Sequence, residues 1–398
     1  MNNEITKITN MKKFIFTVIV LTASIGNCMG QNAKSVLEAM ELANSYFINK
    51  HPEAGAPTFV KKMRTSNLWT RGVYFEGLCE LLQIEEATGS EQLGKNNQYL
   101  LDWGTAHKWS PRDGVKTTNA DNYCCCQTYL DAFSAHPEWK VDLTPTFQCV
   151  DNLLGRPETL HDWTWIDAIQ MGLPVLTAVS AEKQSRGDAD YRRYADLGWK
   201  MYCWTRDTLA GGLFNEKEGL WWRDKDFTPP YKSPNGQNCY WSRGNGWVYA
   251  ALVRAISDLK GMDGFDDQIK VYTDDFLKMT DTLVKCQRKD FFWNVDLLDD
   301  TNFGGKELTG TSLFIYGMAW GVNNKVLDEK PYRKLILKTW KTMVKTCLHE
   351  NGFLGYVQGT GKQPSDSQPV SYTTEPDFDD FGLGCFLLAG SEVWKMVM

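Results

Sequence analysis

Small and apolar residues recur at helical spacing in six segments of the chain, most of them opened by an aromatic residue or a glycine-rich turn. The segments begin near Trp69, Tyr123, Trp165, Trp247, Thr309 and Phe381. More polar stretches alternate with them, such as Tyr191 to Leu209, Asp266 to Cys286 and Tyr332 to Leu348, and these place their charged residues on one helical face. Only Phe291 to Val295 and Leu354 to Val357 read as short strands, suited to hairpins at the mouth of a barrel. The pattern predicts an all-α chain. Six small-residue helices alternating with polar ones suit a closed double ring, with the first class crowding the axis and the second facing water. A superhelical repeat array is the competing all-α arrangement. Closure is favoured because the chemically promising residues sit at the starts of the apolar helices and would then meet at one mouth.

Length does not decide the domain count, since 398 residues would fill two or three average domains. Composition favours one domain over residues 31–398: the 16 Trp, 16 Tyr and 19 Phe are spread along the chain, and no linker interrupts them. A formal net charge of -6 argues against nucleic acid and anionic membranes as partners, so an acidic ligand would have to be held by local cations. Residues 1–30 read as an export signal, with Lys12 and Lys13 ahead of an apolar run from Phe14 to Leu21 and Met11 as a plausible start. That run is shorter than the roughly 20 apolar residues of a membrane span. The expected location is periplasmic or secreted, and acylation of Cys28 ranks second because Asn27 precedes it. The remaining cysteines are mostly isolated, apart from Cys124-Cys125-Cys126, and read as buried small hydrophobes. With five histidines and none paired at ligand spacing, no metal or other cofactor is expected.

Three motifs carry candidate chemistry. Trp241-Ser-Arg-Gly-Asn-Gly-Trp247 sets Arg243 between two indoles, a fork for a carboxylate beside stacking faces, with glycines that let the backbone approach a ligand. Its plain alternative is an aromatic helix start whose arginine is structural. In His161-Asp-Trp-Thr-Trp165-Ile-Asp167, a carboxyl two residues after an indole and ahead of an apolar helix is expected to be desolvated. Its pKa would rise, as a general acid requires. Asn119-Ala-Asp121-Asn122-Tyr123 offers a second carboxylate, stabilised as an anion at a helix N-terminus. Each aspartate serves equally well as a helix cap.

Taken together, the Trp165-Ile-Asp167 element, the Trp241 to Trp247 element and the Asp121 helix start resemble glycoside hydrolase family 105, the unsaturated rhamnogalacturonyl hydrolases. Family 88, the unsaturated glucuronyl hydrolases, is a more distant likeness. The resemblance spans nearly the whole mature chain, including Glu307 to Ser312 and Asp380 to Glu392. It implies an (α/α)6 barrel of six helical hairpins that removes a 4,5-unsaturated uronic acid from the non-reducing end of a lyase product. The aspartate matching Asp167 would protonate C4 and then activate water for C5. Asp121 would be the second aspartate, and Trp165, Trp241, Arg243 and Trp247 would border the sugar. Two departures stand out: Arg223 occupies a position where some members carry histidine, and could bind substrate charge, while Asn122 stands where many relatives have an acidic residue.

Two other functions stay open on sequence alone. An inverting glycosidase on saturated glycans would need a second carboxylate roughly 6.5 to 9.5 Å from the first. A non-catalytic periplasmic glycan-binding protein would use the same aromatic wall. The loops Tyr231 to Asn238 and Thr360 to Glu375 read as a variable rim.

Overall fold

The computed structural model describes residues 31–398, so the expected export signal lies outside the described residues. The apolar segments fold as inner helices α2 (Trp69–Thr88), α5 (Cys126–Ala135, preceded by the short α4, Ala120–Tyr123), α7 (Asp167–Ser185), α9 (Ser242–Leu259), α11 (Leu308–Asn323) and α13 (Phe381–Val397). The amphipathic stretches form the outer helices α1 (Gln31–Lys50), α3 (Leu93–Ala106), α6 (Thr144–Leu154), α8 (Arg192–Cys203), α10 (Asp266–Cys286) and α12 (Glu329–Cys347). Each inner helix packs on the next, and α13 closes on α2. The result is the expected (α/α)6 barrel.

Glycines set how tightly the ring closes. A Cβ on Gly77 of α2 would stand 2.5 Å from the Gly384 carbonyl oxygen of α13, and one on Gly384 would stand 2.3 Å from that of Val73. No larger side chain fits where these two backbones touch. Pro174 lies inside α7 and cannot donate to the carbonyl of Gln170; the Gln127 side chain of α5 donates to that carbonyl instead, at 2.8 Å. A helix break thereby becomes a contact between neighbouring inner helices.

The strand expectations fail in place. Short antiparallel hairpins form at β1–β2 (Thr58–Val60 and Lys62–Arg64) and β3–β4 (Phe214–Asn215 and Leu220–Trp221). Segments 291–295 and 354–357 make only single bridges, Trp293 to Glu307 and Leu348 to Leu354. Too few residues of either segment find a partner for a ladder to propagate. All ten described cysteines are free, and eight of them are buried.

Below the mouth the barrel axis is ionic. Arg254 of α9 pairs with Asp131 at 2.8 Å and lies 3.7 Å from Glu76 of α2, whose two carboxylate oxygens also accept from Gln170. Burial pushes Glu76 up to about 7 against the pull of Arg254, and pushes Asp258 up to about 7 as well. Both groups keep a proton in the folded state that they give up near pH 4 when unfolded. Their contribution to stability is therefore full below the unfolded value and lost as pH rises through 7. The melting temperature is expected to fall between pH 5 and pH 8, and Glu76→Gln should flatten that slope; an unchanged slope in the variant would remove Glu76 from the account.

Candidate active site

Inner-helix starts converge at one end of the barrel. Asp380 caps α13 by accepting from the Phe381 N–H at 2.8 Å, and its other oxygen accepts from Thr70 and Arg71 at the start of α2. Asp167 is the first residue of α7. Asp121 lies in α4, where its N–H donates to the Asn119 side chain. Trp163, fully buried, donates from its indole to the Tyr123 hydroxyl at 3.0 Å and so ties the two aspartate-bearing segments together. Residues 163–166 also pair with 222–224: Trp165 bridges Asp224, and the Ile166 N–H donates to the Arg223 carbonyl. This pairing delivers Arg223 to Asp167 at 3.1 Å, while its other arm holds Asp224 at 2.7 Å.

Asp121 does not play the part expected of it. Burial, followed by the nearby charge of Asp167, pushes Asp121 up to about 7 in spite of Arg223 and Arg112. Asp167 is the carboxylate held by a guanidinium. The expectation of an anionic Asp121 is thus corrected: α4 is four residues long, too short for its dipole to offset burial.

The Arg243 element is corrected more sharply. The helix begins at Ser242, so the two glycines and Asn245 are helical and buried rather than open to a ligand. A Cβ on Gly246 would meet Leu313 at 2.8 Å, which makes this glycine a packing residue. Asn245 accepts from the Trp221 N–H and donates to the carbonyls of Trp221 and Trp241, pinning the β3–β4 hairpin. Arg243 is 1% exposed and forks onto the carbonyls of Gln358 and Gly359 at 2.5 and 2.7 Å, sandwiched between the Trp241 and Phe381 rings. Trp241 and Trp247 are buried behind the mouth. All three are buried, at no more than 2% exposure. Arg223 is occupied by two carboxylates.

Two indoles at the mouth are less buried. Trp165 is half-buried, and so is Trp69, 5.4 Å from Phe381 and edge-on to Trp247 at 6.2 Å. Its position opening an apolar segment was the available signal. Gln358 left none. Its amide donates to the carbonyls of Gln363, Pro364 and Asp366, its side-chain oxygen accepts from the Trp241 indole, and its backbone N–H donates to Glu307. The rim loop is thereby fastened to the starts of α9 and α11.

A profile of the Glycosyl Hydrolase Family 88 matches residues 39–397. The chain belongs to that family. It is 33% identical to an unsaturated 3S-rhamnoglycuronyl hydrolase of Alteromonas sp., over 84% of this chain and 79% of that protein. It is 28% identical to a protein of the same description from Formosa agariphila, over 82% of this chain and 84% of that one. A solved family 88 structure from Bacteroides vulgatus shares the fold, with a TM-score of 0.78 and 24% identity, covering 92% of this chain and all of that one. This family 88 member is a glycoside hydrolase, and its Asp121–Asp167–Arg223 cluster lies within the matched region.

A pH dependence follows for that cluster. If turnover needs the proton that Asp121 retains, kcat/KM falls as pH rises through about 7. Asp121→Asn should erase this alkaline limb, and an unmoved limb would show that another group titrates. Inner helices that start together at the mouth also turn their positive dipole ends toward it, a field suited to an acidic sugar in a chain of net negative charge.

Proposed function

We propose that this family 88 hydrolase removes a 4,5-unsaturated uronic acid from the non-reducing end of an acidic oligosaccharide made by a polysaccharide lyase, by hydrating the C4–C5 double bond. A pair of carboxyls at the mouth carries the reading: Asp121, half-buried and pushed up to about 7, and Asp167, fixed by Arg223 at 3.1 Å. Protonated Asp167 delivers its proton to C4, which leaves an oxocarbenium ion at C5. Water attacks C5 and gives its proton to the carboxylate just vacated. The product is a hemiketal at C5; it opens to a ketone, and the exposed hemiacetal at C1 collapses to an aldehyde and expels the aglycone. One water enters and one glycosidic bond breaks. Arg223 positions Asp167, and the half-buried faces of Trp165 and Trp69 supply stacking.

The relatives described as acting on 3S-rhamnoglycuronyl groups favour a rhamnose-containing uronan as substrate, of the rhamnogalacturonan or a related type. Export by the signal read in residues 1–30 would place the enzyme with extracellular lyase products. The test follows the ultraviolet absorbance of the conjugated enol ether. Loss of the band together with release of the aglycone supports hydration. New reducing ends with the band intact would mean ordinary glycosidic cleavage, and the reading would fall.

A further inference from the structure

Acidic-sugar recognition requires a cation with accessible donors to spare; at the mouth Arg223 is held by two carboxylates, and Arg243 is 1% exposed with both terminal nitrogens on backbone carbonyls. Arg112 differs from every other described arginine. Each of the others pairs with a carboxylate or donates to two backbone carbonyls, as Arg64 and Arg192 do. The Arg112 side chain makes a single hydrogen bond among the described residues, from Nη1 to the neutral Asn122 Oδ1 at 3.2 Å. Its Nε is buried without a partner. A guanidinium removed from much of its water with no carboxylate in hydrogen-bond contact is costly, and an incoming oxyanion offsets that cost with charge-assisted bonds.

Its position is set by the chain around it. The Arg112 N–H donates to the Asn122 carbonyl at 2.8 Å. The Asn122 amide donates to Asp113 and Thr117 at 3.0 Å each, which turns its oxygen toward Arg112 and occupies the nearest carboxylate of the loop. An amide at position 122 holds the arginine without neutralising it, whereas a carboxylate there would cancel its charge. The neighbouring residue is Asp121, whose carboxyl lies close enough to Arg112 to feel its charge.

We propose that Arg112 binds an anionic oxygen group of the substrate next to Asp121. The group is either the carboxylate of the unsaturated uronate or an anionic substituent, such as a sulfate ester, on the adjoining sugar. This rests on the hydrolase reading above and adds the residue that recognises the substrate's charge, a role the sequence pattern had given to Arg243 and Arg223.

The experiment compares wild type, Arg112→Gln and Arg112→Lys on two unsaturated uronyl disaccharides, one with a neutral and one with a sulfated aglycone. Calorimetric titration with glucuronate and with inorganic sulfate accompanies it. Arg112→Gln is expected to raise KM at least tenfold with a smaller change in kcat, and Arg112→Lys to recover part of the loss, since a point charge replaces a fork. A rise on both disaccharides assigns the uronate carboxylate; a rise confined to the sulfated one assigns the aglycone substituent. KM within twofold of wild type on both, in a variant with unchanged melting temperature, overturns the proposal. Should Arg112→Gln fail to fold, an unchanged KM in Arg112→Lys does the same. If wild type turns over neither disaccharide, the hydrolase reading fails, while weakened glucuronate or sulfate binding in the variant still decides for Arg112 and unweakened binding against it.

Discussion

Asp167→Asn is expected to abolish turnover of a 4,5-unsaturated uronyl oligosaccharide, with kcat/KM lowered about a thousandfold or more and the fold intact. An amide keeps the shape of the carboxyl and its contact with Arg223 at the start of α7, but it can neither carry the proton to C4 nor accept one from water. Losing a positioned acid and base costs about 4 kcal/mol of transition-state stabilisation at a thousandfold, within the usual range for such groups. Because Asp224 remains to pair Arg223, the melting temperature should move little. The decisive readout is the decay of the enol-ether absorbance with purified variant. If more than about a tenth of the wild-type rate remains, which general acid–base catalysis of that size does not allow, Asp167 is not the acid and the proton must come from Asp121 directly.

Arg243→Leu is expected to have its large effect on stability. The substitution removes both donors from the Gln358 and Gly359 carbonyls and empties the slot between the Trp241 and Phe381 rings. Each orphaned buried acceptor costs about 1–3 kcal/mol, so the loss should reach about 3 kcal/mol and the melting temperature should drop by several degrees. The loop from Gly359 to Asp366, fastened through Gln358, would loosen over the mouth, so activity falls together with stability. Urea titration and thermal melting measure the first, and limited proteolysis of the loop the second. A variant as stable as wild type with KM raised tenfold would instead return Arg243 to the sugar pocket.

Much of the site's vocabulary was readable in the chain, but not its grammar. Asp121, Asp167, Trp165 and Arg223 were all identified, and the fold brings them to one mouth. The raised Asp121 went unread, because its helix start looks like an ordinary cap, and so did the arginine that a distant loop pairs with Asp167. Arg243 looked like a ligand for the same reason. Its neighbours in sequence suit a sugar, while the carbonyls that occupy it belong to residues more than a hundred positions away.

The sequence alone determined the two alternating helix classes, a local and periodic property, while closure into a ring rather than a superhelical array shows only in the packing of α13 on α2. It also determined that the helix starts would carry the chemistry, since the aromatic and acidic residues cluster there. Which charges are free was decided only by tertiary structure. Arg223, Arg243 and Arg112 are alike as residues, and they differ in whether a carboxylate, a pair of carbonyls or a neutral amide stands opposite. Burial and charge pairing depend on what the rest of the chain brings within a few ångströms, and no pattern of neighbours along the sequence encodes that distance.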